Sequence, residues 1–132
     1  MGLAEKISEA ELEVMKVLWR QEKPVSFTDI RVKLHALKGW EKSTINTLVR
    51  RLVEKGVITA RELDKRRYTP NISREAYVQA EEQSLLNKLY DGSAKNFVAA
   101  LCHRGTLSRE DIEELRVFFQ MGVTGNESVG ME

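Results

Sequence analysis

The sequence predicts a mainly α chain in three parts: a winged helix-turn-helix unit over residues 1–72, a three-helix unit over 73–121 and a loose tail over 122–132. Three observations predict it. Residues 7–56 carry three short apolar stripes at helical spacing, separated by tight breaks. Residues 57–70 switch to strand formers around an Asp-Lys turn. Residues 73–120 return to helical spacing, with a serine ahead of each stripe.

Ser8 caps the first helix, with Glu11 three residues on to reach back to the cap, and Ile7 is placed to staple against Leu12. Leu12, Met15, Leu18 and Trp19 carry the stripe to about Gln21, and Pro24 closes it. A second helix comes after Val25-Ser26, capped by Ser26 or Thr28. Its buried side is Ile30, Leu34 and Leu37, and Gly39 breaks it. The third helix runs from Trp40 to Lys55. Ile45, Leu48, Val49 and Leu52 fall at i, i+3, i+4 and i+7, and Gly56 supplies a left-handed stop.

Opposite that stripe stand Ser43, Thr47, Arg50 and Glu54, flanked by Thr44, Asn46, Arg51 and Lys55. Short hydroxyls, an amide and guanidinium groups on a helix buried along its other side suit a DNA major groove. Arginine forks onto guanine, asparagine onto adenine, and threonine meets a thymine methyl or a phosphate. The expected contacts are Lys42, Ser43, Thr44, Asn46, Thr47, Arg50 and Arg51. Alone, the same pattern equally describes a solvated amphipathic helix.

The neighbouring segment tips the balance toward DNA. Val57–Leu63 reads as a strand, Asp64-Lys65 as a turn and Arg66–Pro70 as a returning strand. Lys65, Arg66 and Arg67 lie at or beside the tip, so the hairpin reads as a wing laid over phosphates; the competing reading is a solvated charged hairpin. Lys and Arg outnumber Asp and Glu fifteen to ten over residues 1–70, whereas residues 71–132 carry six against ten. The basic half is the one with an anionic partner to find.

Ser73 caps a helix to about Tyr90 with Tyr77, Leu85, Leu86 and Leu89 on its apolar side, and Asp91-Gly92 breaks it. Ser93 caps the next, which carries Ala94, Phe97, Val98 and Leu101 and stops at Gly105. Ser108 with Asp111, and Leu107 with Ile112, repeat the capping signal ahead of Leu115, Phe118 and Phe119. A unit of about 50 residues rarely buries such stripes alone. A second copy supplies the missing surface, so residues 73–121 are expected to dimerise. The homodimer then sets two third helices on the half-sites of a palindromic double-stranded DNA.

These residues carry a resemblance. Ile7-Ser8-Glu9 through Glu13-Val14-Met15-Lys16-Val17-Leu18-Trp19, then Trp40, Ser43-Thr44-Ile45-Asn46-Thr47-Leu48-Val49-Arg50-Arg51-Leu52 and Lys55-Gly56, resemble the penicillinase-repressor group of winged-helix regulators, the BlaI/MecI/CopY group. Lys65–Pro70 and Leu107-Ser108 through Leu115 match as well, so the likeness spans roughly residues 7–120. It implies a cytoplasmic homodimeric repressor on dyad-symmetric operators of resistance or stress genes, often those for β-lactamases. It places the functional helix on Lys42–Arg51 and the backbone-contacting wing on Lys65–Arg67. In the penicillinase branch a membrane sensor protease signals, and the repressor is cut in its dimerisation domain. There the chain departs: the family's Asn-Phe bond falls on Ala100-Leu101, and an Asn96-Phe97 pair sits one helical turn early. The copper branch's cysteine cluster is also missing, as Cys102 stands alone.

Other chemistry finds little support. Adjacent Cys102 and His103 point about 100° apart on a helix, without a second cysteine for a zinc site, so no metal or cofactor is expected. Glu110, Asp111, Glu113 and Glu114 favour a helix N-terminus rather than a cation site. No phosphate loop or catalytic triad pattern appears, which argues against an enzyme. Trp19 and Trp40 read as core, with Trp40 alternatively steering the third helix against a phosphate. No apolar run approaches the ~18 residues that span a bilayer. Met-Gly-Leu-Ala-Glu-Lys has no signal-peptide core and is a poor myristoylation match, and a single cysteine fits a reducing cytoplasm. A winged helix using this surface to bind another protein is the rival reading.

Overall fold

The computed structural model describes residues 2–122. The tail expected over 122–132 lies, from 123 on, outside the described residues. After a one-turn 3-10 helix (Ala4–Lys6) come α1 (Glu9–Trp19), β1 (Val25–Ser26), α2 (Phe27–Lys38) and α3 (Lys42–Glu54). Next along the chain are β2 (Ile58–Glu62), β3 (Arg66–Pro70), α4 (Arg74–Tyr90), α5 (Ala94–His103) and α6 (Arg109–Gln120). The chain packs as two compact units that part between Gln83 and Ser84.

In the first unit, Ser8 and Glu11 form the reciprocal cap of α1: the Ser8 Oγ accepts from the Glu11 N–H at 3.1 Å, and the Glu11 Oε1 accepts from the Ser8 N–H at 3.0 Å. Ser26, not Thr28, caps α2, accepting from the Asp29 N–H at 3.2 Å. Gly39 and Gly56 take φ of 71° and 78°, the left-handed geometry that ends α2 and turns the chain out of α3. Val14, Met15, Leu18, Ile30, Leu34, Ile45, Val49, Leu52, Val57 and Ile58 form one buried core. Leu37 is a correction: it sits on the Ile30–Leu34 stripe but stays 62% exposed, because burial on α2 ends one turn earlier at Leu34.

The sheet is antiparallel in the order β1-β3-β2. Its first strand has no signature in the sequence. Two residues are too few to show alternation, and Val25 and Ser26 become a strand only by pairing with Tyr68 and Arg67. Trp19 donates its indole N–H to the Ile72 carbonyl at 2.9 Å and lies 5.5 Å from Tyr77, which holds the first turns of α4 in this unit. Trp40 packs half-buried against the core.

The second unit holds the end of α4 with α5 and α6. Ser93 caps α5, and Ser108 with Asp111 forms the reciprocal cap of α6. The Tyr90 and Phe97 rings pack with centroids 5.3 Å apart, tilted by 41°. No residue of α4, α5 or α6 is fully buried. Among the described residues, no helix is long and apolar enough to cross a membrane.

Candidate nucleic-acid interface

With Ile45, Leu48, Val49 and Leu52 turned into the core, α3 presents its polar residues outward. Lys42, Ser43, Thr44, Asn46, Arg50 and Arg51 are exposed and Thr47 is half-buried. The Thr47 hydroxyl donates to the Ser43 carbonyl at 3.0 Å, which fixes its rotamer. Its oxygen lone pairs are left to accept. Arg50 lies 3.8 Å from Glu54, one turn on.

The hairpin brings Arg66 beside α3, whereas Arg67, the next residue on β3, is a correction: strand alternation turns it to the other face of the sheet, against Pro24, Val25 and Asp29. The hairpin loop is Leu63-Asp64-Lys65, closed by the Glu62–Arg66 pair of the ladder. Asn46, Arg50 and Glu54 of α3 share a cleft of about 200 Å³ with Ala60, Arg66 and Tyr68 of the sheet. Two of the three expected wing cations already have acidic partners. The Arg66 Nε donates to Glu62 at 2.6 Å. Arg67 forks onto both oxygens of Asp64 at 2.9 and 3.1 Å and reaches the Pro24 carbonyl at 3.4 Å. The Arg67 guanidinium holds the Asp64 carboxyl down to about 2, so this pair stays ionised through mild acid. Lys65 at the tip has no ion-pair partner among the described residues. The Arg66–Glu62 pair is exposed on both sides and weakly held, so Arg66 can exchange onto phosphate, whereas the half-buried, bidentate Arg67 is held in place.

Sequence reasoning missed one buried element beside α3. The Glu11 carboxylate is 1% exposed, and Lys55, the residue after α3, donates to both of its oxygens at 2.7 and 2.9 Å. Burial pushes the Glu11 pKa up, but the Lys55 ammonium and the Ser8 N–H outweigh it and hold the carboxyl below the ordinary value of 4.5. The unfolded state therefore binds more protons in that window, so the stability from this group is present above pH 4.5 and lost as pH falls through the folded value. We expect urea midpoints of the unaltered protein to fall more steeply below pH 4.5 than those of Glu11→Gln, which has no proton to take up. Parallel curves would show that Glu11 contributes nothing to acid unfolding.

The residues expected to dimerise divide by exposure. Tyr77, Leu86, Phe97, Leu101 and Leu115 are half-buried, whereas Leu85, Leu89, Val98, Ile112, Phe118 and Phe119 are exposed. Tyr77 makes its ring contact inside the first unit, with Trp19. Ile112, Phe118 and Phe119 are 45%, 54% and 69% exposed on one short helix, an apolar surface that a lone chain leaves in water.

A profile of the penicillinase repressor family matches residues 7–120. The chain belongs to that family. The penicillinase repressor of Bacillus licheniformis is 34% identical over 110 residues, covering 83% of this chain and 85% of that protein. The methicillin resistance regulatory protein MecI of Staphylococcus aureus (strain N315) is 32% identical over 111 residues, with 83% and 89% covered. The solution structure of the DNA-binding domain of the repressor BlaI superposes with a TM-score of 0.51 at 35% identity, covering 58% of this chain and 94% of that one. The first unit is thus a winged helix, and the penicillinase repressor family is one of transcriptional repressors, not enzymes. The bond that stands where the family resemblance expects a cut joins Ala100 to Leu101, both half-buried inside α5.

Proposed function

We propose that this chain is a homodimeric repressor that binds a dyad-symmetric operator, controls β-lactam resistance or related stress genes, and works in the cytoplasm. The observation that carries the reading is the uncovered polar face of α3 beside a basic hairpin, in a winged unit like that of BlaI. Arg50, Arg51 and Asn46 reach base edges, Thr47 and Thr44 contact methyls or phosphates, and Lys42, Ser43, Lys65 and Arg66 grip the backbone. The exposed apolar side chains of α6 meet their equals in a second copy, which spaces two α3 helices for two half-sites.

Proteolysis by a membrane sensor is the inducing event that fits the family. A protease needs extended chain, so a cut at Ala100-Leu101 requires α5 to open locally first.

Fluorescence anisotropy tests the reading. A palindromic duplex enriched by the protein from a random pool is expected to bind in the nanomolar range, weakening steeply with salt at a slope of about 0.9 per phosphate contacted. Thr47→Ala or Arg50→Ala should relax base preference by about 5–150-fold at one position, whereas Lys65→Ala should weaken all duplexes alike. Equal affinity for shuffled DNA and no effect of any of the three would favour a winged helix that binds another protein.

A further inference from the structure

The Lys55 ammonium is held by two groups of the first unit: it donates to the Glu11 carboxylate, 2.7 and 2.9 Å from its two oxygens, and to the Lys6 carbonyl at 2.8 Å. The acceptors are held in turn. Glu11 is buried and its Oε1 also takes the Ser8 N–H, so the carboxylate is fixed from the α1 side. Lys55 follows the last residue of α3, directly before the turn at Gly56. α3 is otherwise held by the apolar stripe of Ile45, Leu48, Val49 and Leu52 and by contacts to its flanking backbone, His35 at the Trp40 carbonyl and Asn71 at the Gly56 carbonyl. Packing of that stripe fixes which face of α3 is buried, but apolar attraction itself is non-directional. A charge-assisted contact at one end adds a directional constraint.

We propose that Lys55 is a positioning residue for duplex recognition: anchored on Glu11 and the Lys6 carbonyl, it fixes the rotation of α3 and so aims Asn46, Thr47 and Arg50 at base edges. This rests on the duplex-binding reading above. Lys55 itself touches no DNA. Base contacts depend on angle and reach, whereas phosphate contacts tolerate small shifts, so loss of this contact falls on discrimination rather than on general affinity.

The test compares the duplex enriched from a random pool by the unaltered protein with a shuffled duplex of equal length, at a temperature where every variant is folded. Lys55→Met is expected to weaken the enriched duplex about tenfold or more while leaving the shuffled one within about twofold. Lys55→Arg keeps the charge, but its longer planar fork cannot reproduce a compact ammonium seated between the Glu11 carboxylate and the Lys6 carbonyl. It is expected to restore most of the thermal midpoint without restoring discrimination. Equal losses on both duplexes, or a lowered midpoint with discrimination intact, would reduce Lys55 to a stabilising contact and overturn the proposal. If Lys55→Met does not fold, the Arg variant decides by the same comparison. An unaltered protein that enriches no duplex overturns the duplex-binding reading itself, and the proposal with it.

Discussion

Leu52→Ala is expected to destabilise the first unit by about 2–5 kcal/mol, because it removes a fully buried side chain and leaves a cavity that the surrounding helices cannot fill. In a unit of this size that lowers the thermal midpoint by about 10 °C or more. Leu52 is the last member of the α3 stripe, one turn before Lys55 and next to the exposed Arg51. Every outward residue of the helix is untouched, so any loss of duplex binding on warming tracks the unfolded fraction rather than a lost contact. Urea denaturation read by tryptophan fluorescence, with Trp19 and Trp40 half-buried against this core, measures the change. A loss below about 1 kcal/mol would mean that the core closes over the gap and that α3 is held chiefly by its polar end. Combined with Lys55→Met, the two changes apportion the attachment of α3 between packing and the Glu11 contact. A coupling term between them is expected, since the two residues are neighbours on consecutive turns.

How much of the fold can be read from the sequence depends on the range of the forces involved. Caps and stripes are local: Ser8 with Glu11, Ser26, Ser93 and Ser108 with Asp111 are each satisfied within one turn, and all stand in the structure as helix starts. The outward face of α3 was legible because its buried face was. Long-range pairings were not. Glu11 looks like half of a capping box, and nothing in its neighbourhood announces that its carboxylate also waits for an ammonium 44 residues on. The strand at Val25-Ser26 exists only through Tyr68 and Arg67. The acidic partners of the wing arginines lie within reach of spacing alone, since Glu62 and Arg66 are four apart and Asp64 and Arg67 three. A count of cations along the hairpin hides them, because it takes no account of which charges already face one another. Leu37 shows the opposite error, a residue on the right stripe in a turn that the core does not reach.

Phe119→Glu combined with Ile112→Glu is expected to turn the proposed dimer into a monomer and to lower affinity for the proposed operator by about 100-fold or more. In a single chain the two side chains do little: they are 69% and 45% exposed on α6. Charging them therefore leaves the chain's own packing nearly unchanged. At a two-fold interface each introduced carboxylate appears twice and buries an unpaired charge on both sides, a penalty that no local repacking relieves. α6 already carries Glu110, Asp111, Glu113 and Glu114 against Arg109 and Arg116, and Arg116, one turn from both new carboxylates, is already paired with Glu113. Once the copies part, the second half-site is no longer filled at high effective concentration, and avidity of about 10²–10⁴ is lost without any change to α3. Sedimentation equilibrium reads the first effect and anisotropy on full and half operators reads the second. The full operator should weaken while the half operator binds as before, which separates lost association from a damaged winged unit. A variant that still dimerises would move the interface away from α6, and an unaltered protein that stays single at micromolar concentration would remove it altogether.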